Sequence, residues 1–418
     1  MPLYVKDALQ KLDEAGHIAY VVGGTVRDFL LKRESKDYDI ATSAEPDELC
    51  VLFPKAITVG KAFGVIKLPI ENHPEGHFLE IATFREDLEY RDFRHPEGVR
   101  FASPFEDAKR RDFTINALFF DPKTSRILDS VGGVEDLKAK KIRAIGNPLE
   151  RFREDALRLL RAIRFSTVLE FEIEEETLKA IHERAELIKQ VSSERIRDEL
   201  TGMWKGPHPD QALSLLKELQ LLSIVLPEFD FLMTKKEEWE HTLKLLKILA
   251  KKYPKRSVSL SWSAVLLHLN QVNPLGMKTV EKLGERLKFS NHEIQRINAI
   301  VQGHLRFREV FKMREATLER FVREPEFEEQ LALHYADALA LDGNLVYYEF
   351  CLSRFESAKK LASLENTKLI DGKDLIQLGF HPGPQFSEIL RVVEDLALER
   401  KLHTKEEALE YVLKSFIK

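Results

Sequence analysis

Gly23-Gly24, set between the apolar run 18–22 (IAYVV) and a helix-forming segment that carries Arg27, constrains this chain more than any other feature. The apolar run reads as a short buried strand, and paired glycines let the backbone turn tightly behind it and approach a bulky anion. The amides that open the following helix, with the positive end of its dipole, then face that anion. Arg27, one turn in, can add a charge-assisted bond to a phosphate oxygen. Ten residues past Arg27 comes Asp37-Tyr38-Asp39. Side chains alternate along a strand, so Asp37 and Asp39 are expected on one face. Two carboxylates so placed form the oxygen-rich, partly hydrated site that Mg²⁺ favours when substrate phosphates complete its shell. Either feature alone is commonly just a turn or a solvated strand end. In strand–turn–helix–strand order they can converge on one point, and together they indicate nucleotidyl transfer.

The stretch GGTVRDFLLKRESKDYDIAT resembles the signature of the class II tRNA nucleotidyltransferase and bacterial poly(A) polymerase family, within the polymerase-β-like superfamily. The resemblance implies an α+β protein: a nucleotidyltransferase head with a mixed sheet, then an all-α neck, body and tail. On that scheme residues 1–145 form the head, 146–205 the neck with a base-reading motif, 206–355 the body and 356–418 an RNA-binding tail. It also implies Mg²⁺-dependent addition of nucleotides to an RNA 3′ end. The texture of the chain agrees with the first division. Up to about residue 145, β-rich runs such as 64–69 (GVIKLP) and 78–84 (FLEIATF) alternate with helical segments. Beyond Asn147-Pro148, patterns of period 3.6 rich in Leu, Lys and Glu take over.

Composition sets outer limits. A chain of 418 residues can hold two or more domains with substantial cores. Its 44% hydrophobic and 32% charged residues describe a soluble globular protein. No apolar run approaches a membrane span, and MPLYVKDALQ is not a signal peptide. The only cysteines, Cys50 and Cys351, suggest neither a disulfide framework nor a zinc site, so a reducing, cytoplasmic setting is expected. With a net charge of −5, any nucleic-acid binding must rely on local basic patches.

Later segments can be set against the resemblance. Glu80 interrupts FLEIATF, where a charge on a buried face is costly. In the superfamily a third carboxylate on a neighbouring strand often faces the metal pair, and Glu80 could be that residue; alternation could equally turn it to solvent. Residues 85–103 are polar with little periodicity, and resemble the flexible loop that helps CCA-adding members change from C to A addition. Ser103-Pro104-Phe105-Glu106 is a capping box with proline at the first helical position. The run Arg110–Ala117 in one-letter form, RRDFTINA, matches the family's RRDFTxNA motif. In it an arginine can reach a phosphate or ribose oxygen while Asp and Asn discriminate a 2′-hydroxyl, and Arg111 is carried over as nucleotide-binding. Residues 129–145 contain a Gly-Gly turn and a helix, read as the link from head to neck.

The fourth motif bears on substrate choice. Within the helix expected after Asn147-Pro148 lies EDALRLLRAIRF, where Asp155 and Arg158 stand three apart and so neighbour each other on a helix surface. A carboxylate and a guanidinium together can match the Watson–Crick edge of cytosine or adenine. Standing alone, such spacing is commonly a charged helix face. The resemblance names Asp155 and Arg158 as the base-reading pair, with Arg161 and Arg164 fanning toward phosphates or primer. Arg195 and Glu199, four apart, are expected to pair in support of the pocket. Downstream, His241 and the LLHLN segment resemble an HD phosphohydrolase domain, but Leu269 follows His268 where that domain requires aspartate, and leucine coordinates no divalent ion. Residues 368–386 (KLIDGKDLIQLGFHPGPQF) resemble the family's tail, as RNA-gripping loops or as simple helix-joining turns.

The expectation is an enzyme that adds CCA to tRNA 3′ ends from CTP and ATP. Asp37 and Asp39 would hold Mg²⁺, with Glu80 nearby; Gly24, Arg27 and Arg111 would hold triphosphate and ribose; Asp155, Arg158, Arg161 and Arg164 would serve the base and primer. A poly(A) polymerase, a partial CC- or A-adding enzyme and a catalytically dead RNA-binding protein remain as alternatives; the retained Asp37 and Asp39 argue against the last.

Overall fold

A computed structural model describes residues 1–35, 37–58, 64–70, 78–88, 98–272, 278–361 and 368–416. The chain divides into two units, Met1–Asp230 and Phe231–Lys418. In the first, α1 (Leu3–Glu14) precedes β1 (Ala19–Val22), α2 (Gly24–Leu30), β2 (Asp39–Thr42) and α3 (Pro46–Leu52). Next come β3 (Ile57–Thr58), β4 (Val65–Pro69), β5 (Phe78–Thr83), β6 (Arg85–Asp87), β7 (Val99–Phe101), α4 (Pro104–Lys109), β8 (Phe119–Asp121), β9 (Arg126–Leu128), α5 (Gly133–Ala139) and β10 (Lys141–Ile142). Helices then dominate: α6 (Pro148–Glu154), α7 (Leu157–Leu169), the short β11 (Glu172–Ile173), α8 (Glu175–Arg184), α9 (Ser193–Lys205), α10 (Pro209–Glu218) and α11 (Leu222–Val225).

The main sheet runs β3-β4-β5-β2-β1-β8-β9 and is mixed, because β2 and β5 pair in parallel while β1 is antiparallel to both β2 and β8. Its register aligns Lys67, Glu80, Asp39, Val22 and Phe119 in one row across β4, β5, β2, β1 and β8. Residues paired directly across strands point the same way, so Glu80 lies beside Asp39 on one face. Val22, Ala41, Phe84 and Phe119 form the core of that face with Ala108, Ala117 and Ile145. Val21, Ile40, Ile66 and Ile81, each at most 3% exposed, alternate to the opposite face.

The flanks of the polar 85–103 stretch pair as the antiparallel ribbon β6–β7, and residues 89–97 lie outside the described residues. Ser103 caps α4 with Glu106 reciprocating and Pro104 at its start, as the sequence signalled. The helix expected to run through EDALR is broken in two. Asp155 is extended (φ −143°, ψ 103°), and its Oδ1 accepts the Leu157 amide at 3.1 Å. A short acidic side chain that bonds its own backbone two residues on competes with helix, and here it ends α6 and opens α7. Helix α10 packs on α7 and α9, so residues 209–218 belong with the first unit.

The second unit is helical: α12 (Asp230–Met233) at its boundary, α13 (Lys236–Lys252), α14 (Val258–Val272), α15 (Lys278–Arg286), α16 (Asn291–Arg306), α17 (Glu315–Val322), α18 (Phe327–Leu341), α19 (Val346–Leu361), α20 (Gly372–Gln377), α21 (Pro384–Leu398) and α22 (Lys405–Phe416). Helices α14 and α18 pack on each other and each also on α13 and α16, and α18 is buried on nearly all sides. Asp371 caps α20 and Pro384 takes the first position of α21, so the glycine- and proline-rich segment joins two helices over a core of Leu375, Ile389, Val393 and Val412. Among the described residues, no helix is long and apolar enough to cross a membrane.

Candidate active site

The turn after β1 places Gly23 at φ +72°, a conformation that side chains disfavour. A Cβ there would stand 3.4 Å from Arg111 Nη1 and 4.0 Å from Asp39 Oδ2, so the bare backbone floors a cradle between a cation and a carboxylate. Gly24 and Arg27 on α2, Asp37 just before β2 and Asp39 at its start all line one cavity of about 610 Å³. Asp155, Arg158, Arg161 and Arg164 line the same cavity. Of the candidates only Glu80 is absent from its lining. It sits across the strand pair from Asp39 and forms an ion pair with Lys67 at 2.8 Å.

The electrostatics at the strand end favour a cation. Burial, then the charge of Glu80, push the Asp39 carboxyl up to about 6, with Asp37 adding to the effect and Arg111 and Lys67 opposing it. Carboxylates crowded in this way resist ionising together, and positive charge brought between them relieves the repulsion. An all-oxygen donor set of this kind fits a hard divalent metal, which Asp37 and Asp39 could hold. Elsewhere the cavity is basic. Seven arginines (Arg27, Arg110, Arg111, Arg158, Arg161, Arg164 and Arg195) face four aspartates (Asp37, Asp39, Asp112 and Asp155), an excess suited to a polyanion.

Those arginines are fixed rather than loose. Arg27, 9% exposed, donates to Asn116 Oδ1 at 2.7 Å and to Asp28 Oδ1 at 2.9 Å, so it is anchored from its own helix and from the RRDFTINA segment. Asn116 in turn donates to Asp112 Oδ1 at 3.1 Å, and Asp112 Oδ2 accepts from Arg161 Nε at 2.8 Å. Burial alone would raise the Asp112 carboxyl, but Arg161 and Asn116 hold it down at about 2. Arg164 donates to Glu199 at 2.6 Å. Arg27, Arg161 and Arg164 all lie over the ring of Phe165, at 5.3, 5.2 and 4.3 Å from its centre. Arg111 forks onto buried Asp107 at 3.1 and 2.9 Å.

Two pairings differ from those the spacing predicts. Asp155 and Arg158 are not neighbours on a helix surface, because the chain breaks at Asp155. Arg158, 7% exposed, instead donates to Glu154 at 2.8 Å and to the carbonyls of Arg151 and Arg110, both at 3.0 Å. Arg195 does not pair with Glu199. It forks onto Asp155 at 3.1 and 2.8 Å, while Glu199 serves Arg164 and Arg161. Arg195 thus lines the cavity, a placement its sequence spacing concealed. Asp112, Asn116 and Arg110 join it there through the RRDFTINA motif, which did signal them.

Comparisons with known proteins agree along the chain. Residues 19–143 match the poly A polymerase head domain, 170–233 the probable RNA and SrmB-binding site of polymerase A, and 254–413 the tRNA nucleotidyltransferase domain 2. The chain is 37% identical over 413 residues to the CCA-adding enzyme of Lactobacillus helveticus, covering 97% of this chain and 95% of that protein. It is 35% identical to the CCA-adding enzyme of Anoxybacillus flavithermus, covering 96% and 94% respectively. Among solved structures, the Bacillus stearothermophilus CCA-adding enzyme in complex with CTP superposes with a TM-score of 0.77 at 29% identity, covering 99% of this chain and 98% of that one.

Proposed function

Because the chain belongs to the class II CCA-adding tRNA nucleotidyltransferase family, we propose that it adds CCA to the 3′ end of tRNA, using CTP and ATP without a nucleic-acid template and releasing pyrophosphate. The observation that carries this reading is the single cavity of about 610 Å³ that Gly23-Gly24, Asp37 and Asp39 share with Asp155 and Arg158. Its volume suits one nucleotide-sized ligand, since such sites typically hold about 300–1,000 Å³. Its lining combines groups for a metal-bound triphosphate with groups for a base.

A divalent ion, Mg²⁺ in this reading, supplies Lewis-acid activation of the RNA 3′-hydroxyl and offsets charge at the triphosphate when bound. Asp37 and Asp39 hold it, and Glu80 adds negative charge beside them. Arg27 and Arg111 neutralise triphosphate and ribose oxygens next to the Gly23-Gly24 turn, where no Cβ keeps the phosphates away. Asp155 and Arg158 read the base edge. Arg195 fixes the orientation of Asp155, and Arg161 and Arg164 supply positive charge toward the primer. On the same reading the first unit contains the head (1–145), the neck (146–205) and the start of the expected 206–355 body, up to Asp230, while the rest of that body and a tail at 356–418 that contacts tRNA belong to the second unit.

The test is incubation with tRNA lacking its 3′ CCA, offered CTP alone, ATP alone, then both. The proposal expects CC from CTP alone, CCA from both, and a single A from ATP on tRNA ending in CC. Long A tails from ATP alone on any RNA would make the protein a poly(A) polymerase, and arrest at CC or addition of A only would make it a partial enzyme.

A further inference from the structure

Four helices of the second unit bring histidines and an aspartate to a common point: His241 from α13, His268 from α14, His304 from α16 and Asp337 from α18. Buried carboxylates and imidazoles are costly unless their polar atoms are satisfied, and Asp337 and His268 are only 6% and 4% exposed. Here the satisfaction is incomplete. His241 Nε2 lies 3.0 Å from Asp337 Oδ1, yet neither atom makes an aligned hydrogen bond.

The tautomer of His268 sharpens the conflict. Its Nδ1 is 3.0 Å from Thr242 Oγ1, whose hydroxyl donates to the Glu238 carbonyl at 2.7 Å. Thr242 is therefore the acceptor and His268 Nδ1 the donor, which in the neutral ring leaves Nε2 as a bare lone pair. That lone pair stands 3.5 Å from Asp337 Oδ1. Two acceptors then face each other across a gap that a bound cation would bridge.

We propose that His241, His268 and Asp337 form a binding site for a late first-row divalent cation of the zinc class. Their ligating atoms all lie within 4.8 Å of one another. Nitrogen and oxygen donors bound to a tetrahedral ion at about 2.0–2.2 Å sit roughly 3.3–3.5 Å apart, close to the separations around Asp337 Oδ1. Two imidazoles with one carboxylate favour a borderline ion over Mg²⁺, which prefers oxygen alone. His304 Nε2, 3.0 Å from Asp337 Oδ2, is placed to donate to the outer carboxylate oxygen and orient the ligand. Leu269, 1% exposed, takes no part in the cluster. The aspartate comes from α18 rather than from the residue after His268, so the sequence expectation that the leucine abolishes metal binding does not extend to this arrangement. What the geometry supports is a cation that pins α13, α14 and α18 together, with His241 at its more exposed side.

The test uses full-length protein stripped with chelator and dialysed against Zn²⁺, with bound metal counted by mass spectrometry. An Asp37→Ala/Asp39→Ala double variant removes the carboxylates of the first unit. We expect that variant to retain one Zn²⁺ per chain and to show the visible absorption of tetrahedral Co²⁺ when loaded with cobalt. His241→Gln, at a part-exposed position and checked for folding by circular dichroism, should bind at least about tenfold more weakly and lose the cobalt spectrum while still incorporating nucleotides. Equal Zn²⁺ affinity in His241→Gln and wild type, or no Zn²⁺ in the Asp37→Ala/Asp39→Ala variant, would overturn the site.

Discussion

Asp155 is gripped through both carboxylate oxygens by Arg195, forty residues further along the chain, at 3.1 and 2.8 Å. The pair joins the break between α6 and α7 to the start of α9, and so sets the carboxylate's direction from outside its own helix. Oδ1 is used twice, by Arg195 and by the Leu157 amide, whereas Oδ2 takes one bond from Arg195. A carboxylate oxygen has two acceptor sites, so Oδ2 keeps one to offer a base.

Arg195 should therefore act through Asp155. In a double-mutant cycle of Arg195→Ala and Asp155→Ala, we expect a coupling of roughly 0.5–3 kcal/mol in discrimination of CTP over UTP, with Arg195→Lys restoring part of the loss. Additive losses would separate the two residues and leave Arg195 as an independent phosphate contact.

At the metal end, the prediction concerns chemistry rather than packing. Asp37→Ala and Asp39→Ala should each abolish nucleotide incorporation at saturating Mg²⁺ while leaving tRNA affinity and the melting temperature near wild type. Near-normal turnover in both variants would remove these carboxylates from the mechanism. Asp39→Asn, which keeps shape and removes charge, should fail as completely as the alanine.

Asp112 links the site to acid stability. Its carboxyl is held at about 2 in the folded protein against an ordinary 3.8, so the folded state favours its ionised form. The stabilisation is fully present above the ordinary value and is lost as pH falls from about 4 toward 2, an effect on the order of 2 kcal/mol. Asp112→Asn should lower the denaturant midpoint at pH 7, with the gap from wild type narrowing below pH 4. A gap that stays constant down to pH 3 would show that hydrogen bonding alone, and not charge, is what Arg161 and Asn116 supply.

What could be read from sequence here was local. The β1–turn–α2–β2 order and the capping box at Ser103 follow from short-range chemistry (glycine conformation, period-2 alternation and an N-cap hydroxyl), whereas the mixed head sheet was implied only by the family resemblance. What failed was pairing. Arg195 and Glu199 have the spacing of a helical ion pair, yet Asp155 and Arg164, 40 and 35 residues away, were better placed once α7 and α9 packed together. A periodicity argument weighs a few tenths of a kcal/mol for an i,i+4 pair, and the tertiary arrangement easily exceeds it. The second unit carries the same lesson: the histidines of α13 and α14 were visible, but the aspartate that meets them arrives from α18. For Glu80, two directions were open from alternation, and only strand register sets it beside Asp39.

Base choice is where Arg158 should tell most. Three of its N–H groups are committed, to Glu154 and to the carbonyls of Arg151 and Arg110, which fix the guanidinium plane against the cavity wall. A guanidinium has five donors, so two remain for a base edge. Losing them leaves a bound base with unsatisfied acceptors, at roughly 1–3 kcal/mol, or about 5- to 150-fold in selectivity. Arg158→Ala should thus admit UTP or GTP while retaining much of the turnover rate. Arg27→Ala should instead weaken all four nucleotides alike, because Arg27 sits on α2 beside the glycine turn, anchored to Asn116. Steady-state kcat/KM for the four triphosphates on tRNA ending in C decides the matter. If Arg158→Ala loses all four equally, with a lowered melting temperature, the arginine is a brace between α6, α7 and the residue that follows α4, and the base must be read elsewhere in the cavity.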